Sequence, residues 1–410
     1  MSLSFEKQLR DDVFKAYFDA RKNKRNTKAQ LAFEINAEHN IMELYRELME
    51  RTYEPGMSMC FITRRPVVRE VFASQFRDRV VHHLLYNYIA PIFEKGFIYD
   101  SYSCRKGRGT LFGIKRLDHH IRSCTNNYTQ PAYVLKLDVQ GYFMNIDKHL
   151  LYDIVNKTMK KHWEKHGVDH RVPARNDEFI DFLIRSVIFK DPTRDCVIRG
   201  SGKEWKLLPV SKSLLLKKNK DIGLPIGDLT SQLFSNIYLG ELDNYVKRVL
   251  REKHYGRYVD DFYIVHPSKQ HLKEQIPKIE EFLVETLHLH LHPKKVYLQP
   301  YQHGVAFLGA FVKPHRIYVV PRCLKLMRRS IRLLDEKMAL DEMPLPWVYD
   351  IRATLNSYCG YFSFFRAYLI LQRVFRNSLV FNHFYFSSGY GKSIPYKRYE
   401  RRRYQRYKER

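Results

Sequence analysis

Apolar positions recur at helical spacing through the first fifty residues, where Leu31, Ile35, Ile41, Leu44, Tyr45 and Leu48 fall on one face of a helix-like, polar and basic segment. Pro55-Gly56 ends that segment. Residues 61–75 mix β-branched and basic residues and predict short extended pieces, and a helical pattern follows over Phe76–Phe93. Tyr102–Thr110 is a basic, glycine-containing loop running into a helix. Tyr133–Val139 alternates and is β-branched, which predicts a strand ending near Asp138. A helix-rich region comes next, then a polar, hairpin-like insertion near Cys196–Leu216. Gly223–Gly227 predicts a turn into an apolar helical run through Leu229, Leu233, Ile237, Leu239 and Leu242. Residues 254–266 hold two short apolar runs around Asp260-Asp261 and predict a hairpin. Further strands are expected at Lys295–Gln299, Val305–Val312 and Arg316–Val320, and helix from Pro321 to about residue 385. No internal repeat is present.

Composition narrows the classes. Seventy-one Lys and Arg against 44 Asp and Glu leave a formal charge of +27 on 410 residues, which favours polyanionic partners, since neutralised phosphates release counterions. Basic residues interleaved with 29 Tyr and 26 Phe suit a surface that follows a phosphate backbone and stacks bases. The apolar content is enough for real cores and excludes a disordered chain. No apolar run reaches the ~18 residues of a membrane span; the most apolar stretch, Tyr358–Leu371, is interrupted by Arg366. The charged N-terminus lacks a secretory apolar region, and six scattered Cys (60, 104, 124, 196, 323, 359) contain no C-x-x-C pair. A disulfide framework and a zinc ribbon are therefore not expected, and a cytoplasmic, reducing location is. The histidine groups at 82–83 and at 288, 290 and 292 lack acidic or Cys partners at ligand spacing, so zinc is not expected there either.

Three carboxylates carry the chemistry: Asp138 at a strand end, and Asp260 and Asp261 at a hairpin tip. Carboxylates brought together repel and call for cations or protons. Hard Mg2+ prefers oxygen ligands, and two such ions ~3.5–4 Å apart clamp the attacking and leaving oxygens of a phosphoryl transfer. Taken alone, Asp-Asp equally suits a tight turn.

The order of motifs adds to this. LDVQGYFMNID (137–147), GLPIGDLTSQLFSNIYLGELD (223–243) and RYVDDFYIV (257–265) resemble the successive core motifs of reverse transcriptases. The stretch PVVREVFASQFRDRVVHHLLYNYIAPIFEKGFIYDSYSCRKGRGT (66–110) is similar to the fingers motifs of the bacterial, group II intron-like members, and HPKKV (292–296) and GVAFLGAFV (304–312) to the elements after the catalytic hairpin. The resemblance covers roughly residues 50–385. It implies an α+β fold: a right-hand polymerase with fingers, an antiparallel-sheet palm and an α-helical thumb. The three carboxylates on strand ends of one sheet, with helices clustered elsewhere, agree with that class. The expected division is an N-terminal helical extension (1–50), fingers (51–130), palm (131–150), an insertion (151–222), palm with catalytic hairpin and primer grip (223–320), thumb (321–385) and a basic Tyr/Arg tail (386–410).

Ile226-Gly227-Asp-Leu-Thr-Ser231-Gln232 departs from the Q-G-x-x-x-S-P of most reverse transcriptases and resembles the form found in diversity-generating retroelements, as does the Trp205…Leu208-Pro209…Lys212-Ser213-Leu214 stretch. That resemblance implies a polymerase that copies a template-repeat RNA into cDNA with adenine-directed errors, with template RNA, cDNA primer and deoxynucleotides as ligands and a small basic accessory variability determinant protein as partner. The alternatives are a group II intron- or retron-like enzyme of ordinary fidelity, against the former of which no zinc-ribbon or His-Asn-His segment follows residue 385, and a non-catalytic RNA-binding scaffold of the same fold. The resemblance further implies two Mg2+ ions, with Mn2+ able to substitute, held by Asp138, Asp260, Asp261 and the carbonyl of Val139. It places Gly141 and Tyr142 amides on the triphosphate, Phe143 as the aromatic gate against the sugar 2′ position or else a core ring, and Ile226, Gly227 and Gln232 by the nucleotide. Arg69, Arg105 and Lys106 are candidates for clamping the triphosphate or else belong to a solvated basic loop. Lys294 or Lys295 is a candidate proton donor to pyrophosphate or a template contact. The tail over 392–410, with nine Lys/Arg and four Tyr, is read as an RNA grip or as a frayed end.

Overall fold

The computed structural model describes residues 3–22, 27–64, 67–339, 343–365, 367–387, 390 and 392–396. Pro66, Arg366 and most of the basic tail, residues 397–410, lie outside the described residues. The chain divides into two compact units, one of residues 1–109 and 135–298, the other of 110–134 and 299–410.

The first unit begins with α1 (Leu3–Arg21), α2 (Lys28–Glu34) and α3 (Ala37–Glu50). Phe5, Leu9, Val13, Ala16 and Ala20 bury one stripe of α1 at helical spacing. An antiparallel pair follows, β1 (Met59–Thr63) and β2 (Arg69–Ala73), joined in parallel by a two-residue β4 (Val197–Ile198) to give the order β2-β1-β4. Helix α4 (Phe76–Glu94) is apolar nearly all round, because it packs against α1, α8 (Asp177–Ile188) and α10 (Leu229–Tyr238).

A four-stranded sheet of order β5-β6-β3-β7 carries the carboxylates. Its strands are β3 (Tyr133–Asp138), β5 (His254–Tyr258), β6 (Asp261–His266) and β7 (Tyr297–Pro300). Phe262, Tyr263, Ile264 and Val265 are buried in succession on β6, as expected where both faces of a strand are covered. Helix α12 (Lys269–Leu287) packs on β6. Between β3 and α8 lie the single turn α6 (Tyr142–Asn145) and α7 (Lys148–His166), and α11 (Gly240–Asn244) follows α10.

The segment expected as a hairpin near Cys196–Leu216 is different: it has β4, the short α9 (Gly202–Trp205) and a 3-10 turn at Val210–Lys212. Its alternation fails because Leu208, Ser213 and Leu214 turn inward one by one, while Val197, Ile198, Leu207 and Val210 stay exposed.

The second unit holds α5 (Thr110–Cys124), which packs against β9 (Ala310–Lys313), the centre of a sheet β10-β9-β8 with β8 (Val305–Phe307) and β10 (Arg316–Val319). The run Val305–Val312 is thus not one strand. Leu308 (φ 51°) and Gly309 (φ 85°) fold it back as a hairpin. Helices α13 (Pro321–Met338), α14 (Leu345–Ser363), α15 (Tyr368–Arg376) and α16 (Val380–His383) follow, and the helical run ends in an antiparallel pair, β11 (Phe384–Phe386) with β12 (Ser393–Pro395). Helix and antiparallel strand pairs are segregated along the chain, which is the α+β class. No helix among the described residues is long and apolar enough to cross a membrane.

Candidate active site

Strand β3 ends on Asp138, and hairpin β5–β6 closes on the pair Tyr258 and Asp261, leaving Val259-Asp260 as its two-residue turn. A backbone bond joins the two: the Val139 amide donates to the Asp260 carbonyl at 3.1 Å. The strand end is held from its other side, where the His292 amide donates to the Asp138 carbonyl (2.7 Å) and the Gln140 amide to the His290 carbonyl (2.8 Å). Val259 sits at φ 56°, a left-handed conformation that costs a β-branched residue about 1–3 kcal/mol.

The side chains below the turn show what holds that strain. Arg257 is wholly buried and forms a two-pronged pair with Asp243 of α11, Nε to Oδ1 and Nη2 to Oδ2, both at 2.7 Å. Its Nη1 donates to the Val259 carbonyl at 2.9 Å. The Tyr255 hydroxyl donates to the same Asp243 (2.7 Å). A buried pair of this kind is weak evidence for net stability, because desolvation offsets its attraction, but it fixes geometry.

Charge at the site is arranged around the carboxylates. Lys295 Nζ bridges both oxygens of Asp138, at 2.8 and 2.9 Å, and Lys136 Nζ stands 3.1 Å from Asp261 Oδ2. Burial, then repulsion from Asp138, raises the Asp260 carboxyl, against the pull of Lys295 and Arg69. Burial pushes Asp261 up to about 6, with Lys136 opposing. Asp261 Oδ1 is buried and has no hydrogen-bond partner. Among the described residues, no three acidic, His or Cys side chains already stand in a metal-ligand arrangement, since Asp138 and Asp261 face lysines. Even so, the donors fit a hard divalent cation: they are carboxylate oxygens, one of them unsatisfied, in a site where burial, with mutual repulsion added, raises two of the three.

The other predicted positions fall into two groups. Gly141 (φ 56°) starts α6, whose Tyr142 is fully buried and whose Phe143 is half-buried. Phe143 and Ile226 pack on one apolar cluster of Cys60, Phe72, Met144 and Leu214. The Ile226 carbonyl accepts from the Phe72 amide (3.0 Å). At Gly227 (φ 146°) a Cβ would lie 2.3 Å from the Phe72 carbonyl oxygen, so only glycine fits this approach. Gln232 is exposed on α10, and Arg69 is exposed at the start of β2, where its charge reaches Asp260.

Arg105 is a correction. Its guanidinium is nearly buried and engaged by Glu94 (2.8 Å) and by the carbonyls of Ile98 (2.8 Å) and Ser101 (3.0 Å), which leaves it a scaffold for its loop rather than a phosphate clamp. Lys106 and Lys294 are exposed, and of the two neighbouring lysines it is Lys295 that reaches the Asp138 carboxylate. The histidines have ordinary partners: His288 meets Asp147 at 3.3 Å and His290 meets Glu280 at 3.0 Å. Arg257, Asp243 and Lys136 were not singled out by sequence reasoning. Arg257 directly precedes the Tyr-Val-Asp-Asp run, but its partner lies 14 residues upstream on another element.

No curated protein matches the chain. Among solved structures it is similar to apo telomerase from Candida Tropicalis truncated from its C-terminal domain (12% identity, 64% of this chain and 54% of that one, TM-score 0.46). Apo telomerase from Candida Tropicalis (12%, 78% and 59%, 0.45) and telomerase from Candida albicans in complex with a fragment of telomeric RNA (10%, 82% and 60%, 0.44) are also similar. The chain spans between 54% and 60% of the length of these three. A family model matches residues 68–312, more than half of the chain and all three carboxylates, and the protein therefore belongs to the reverse transcriptase (RNA-dependent DNA polymerase) family.

Proposed function

We propose that this protein is an RNA-directed DNA polymerase that extends a DNA primer on an RNA template. The observation that carries this reading is the backbone bond from Val139 to Asp260, which joins the strand bearing Asp138 to the hairpin bearing Asp260 and Asp261 within the family-matched region. Asp138, Asp260, Asp261 and the Val139 carbonyl would hold divalent cations, Mg2+ or Mn2+, which when bound supply positive charge at the reacting oxygens. The primer 3′-oxygen bonds to the α-phosphorus of a deoxynucleotide as the bond to pyrophosphate breaks, and the hydroxyl proton passes to solvent water. The chain contributes mainly by positioning and by charge. Arg69, whose charge reaches Asp260, and the Gly141 and Tyr142 amides would bind the triphosphate, and Lys295, the lysine that reaches Asp138, would protonate the departing pyrophosphate. Phe143 would lie against the sugar, where a ring leaves no room for a 2′-hydroxyl.

The finer reading is the diversity-generating type, with template-repeat RNA and an accessory protein as partners. Ile226-Gly227 and Ser231-Gln232 support it. Ile226 offers neither donor nor acceptor where the broader family has Gln, so a mispaired nucleotide loses less relative to a correct one, by about 1 kcal/mol, the worth of a hydrogen bond. Primer extension on a mixed-sequence RNA, followed by deep sequencing, tests both levels. Extension in Mg2+ that Asp260→Asn abolishes is expected, with errors concentrated opposite adenine and reduced in Ile226→Gln. No extension overturns the polymerase reading, and a flat error spectrum overturns the finer one.

A further inference from the structure

We infer that segment 196–217 is a specificity-determining part of the nucleotide site, acting from behind by supporting Phe143 and Ile226. The inference rests on the reading that these two side chains meet the nucleotide.

The support is built from several elements. Cys60 and Phe72 come from β1 and β2, Met144 from α6, and Leu214 from the segment itself, all buried in one cluster. Phe143 and Ile226 pack on that cluster, as do Cys196, Trp205 and Leu215, again from the segment. Leu214 lies so close to Gly223 that a Cβ there would meet its Cδ2 at 2.3 Å. The next amide along, Leu224, donates to the Phe143 carbonyl at 2.8 Å. Leu214 therefore presses on the strip of backbone that sets the position of Phe143.

Two polar anchors hold the segment in that place. Glu70 is 1% exposed, and its two oxygens accept from the Ser213 hydroxyl and the Leu214 amide, both at 2.6 Å. Its neighbours on β2 are Arg69, whose charge reaches Asp260, and, two residues on, Phe72, whose amide holds the Ile226 carbonyl. Lys217 Nζ donates to the Met144 carbonyl and to Asn145 Oδ1 (3.3 Å), the last residues of α6. A carboxylate on the strand and an ammonium from the segment thus hold the segment against the immediate neighbours of Phe143. Close-packed interiors transmit small displacements rather than absorb them, so loss of a contact behind Phe143 moves the ring in front.

The test compares ribo- and deoxynucleotide incorporation by the full chain, as the ratio of kcat/KM values. Leu214→Ala should shift the ratio toward ribonucleotides by roughly tenfold, the lower end of the scale for a missing apolar contact in a pocket. Leu183→Ala, at an equally buried position on α8, is the control for general loosening and should leave the ratio unchanged. In a Phe143→Ala background the Leu214→Ala effect should vanish, because the ring through which it acts is gone. If Leu214→Ala does not fold, Lys217→Met, which removes only the hold on α6, reads the same quantity. An unchanged ratio in these variants, with a changed one in Phe143→Ala, overturns the inference and leaves the sugar-gate reading standing. An unchanged ratio in active Phe143→Ala overturns that reading, and the inference with it.

Discussion

Two of the hairpins that close on two-residue turns, β8–β9 and β5–β6, solve the same steric problem in opposite ways. In β8–β9 the turn is Leu308-Gly309, both at positive φ, the mirror-image geometry that suits the twist of the strands and for which glycine is the usual residue. In β5–β6 the turn is Val259-Asp260, with Val259 alone at positive φ and no glycine. The first turn is tied down at its rim, where the Gly309 carbonyl accepts from the Tyr361 hydroxyl (2.6 Å). The second is tied through both of its carbonyls, Val259 to buried Arg257 and Asp260 to the Val139 amide. Where a turn only reverses the chain, the cheapest conformation is used. Where the turn presents a carboxylate, the conformation is strained and the surroundings enforce it.

The largest break in this comparison is at the carboxylate. Asp260→Asn should reduce Mg2+-dependent extension by at least about 10^2–10^3-fold, the scale of losing one charge-stabilising group, while far-UV circular dichroism and RNA affinity stay close to those of the parent. Substantial extension by the purified variant would return the hairpin to the same class as β8–β9.

The next is the anchor. Arg257→Met leaves Asp243 buried without its partner and should cost about 3–5 kcal/mol in a urea titration. Arg257→Met with Asp243→Leu removes both charges and should regain most of that stability, yet stay slow in extension because nothing holds the Val259 carbonyl. A double variant that recovers stability and rate together would show that the pair only fills space.

Much of this geometry is legible in the sequence where the signal is local. The alternation of Tyr133–Val139 marks β3 and its end at Asp138, and the two apolar runs around Asp260-Asp261 mark the hairpin, because period and partner lie within a dozen residues. The motif order marks the site as a whole. What sequence reasoning misses depends on distant partners. Arg257 reads as one more basic residue until Asp243 folds under it, and Arg105 reads as a phosphate ligand until Glu94 and two carbonyls surround it. Leu308 hides a turn because it is apolar, so Val305–Val312 passes for a single strand. The segment 196–217 has no period because its inward residues are chosen singly by Glu70 and Phe143 rather than by a regular face.

A smaller effect sharpens the electrostatic side. Asp261 is raised from 3.8 to about 6, so the folded, metal-free protein binds this proton more tightly than the unfolded chain does. Its contribution to stability is full below pH ~4 and is lost as pH rises through about 6, an upper limit of about 3 kcal/mol. Metal-free protein should therefore lose denaturant stability across that window, and Asp261→Asn should flatten the loss. Lys136→Met should steepen it by removing the cation that keeps the carboxylate ionised. No difference between parent and Asp261→Asn from pH 4 to 7 would mean that the carboxylate is not strained by its burial.

The smallest effect discriminates between the turns themselves, because the two exchanges should have opposite signs. Gly309→Ala forces an L side chain into the left-handed region and brings a Cβ to 2.7 Å of the Tyr361 hydroxyl, whose ring end must give way. Together these should destabilise by about 1–2 kcal/mol. Val259→Gly relieves the strain of a β-branched residue in that region, about 1–3 kcal/mol, but adds unfolded-chain freedom of about 0.4–1 kcal/mol and deletes a half-buried side chain. The first two effects leave about 0–2.6 kcal/mol of stabilisation, and loss of the half-buried side chain, worth about 1 kcal/mol, brings the net gain to about 1 kcal/mol or less. Rate should move the other way: Gly309→Ala leaves extension near the parent value, whereas Val259→Gly slows it several-fold, since a freer turn lets Asp260 sample positions away from Asp138. Thermal unfolding and single-nucleotide extension on the two variants separate these quantities. A Val259→Gly protein that is markedly less stable than the parent would mean that Val259 is held by its own packing, and that Arg257 restrains nothing under strain.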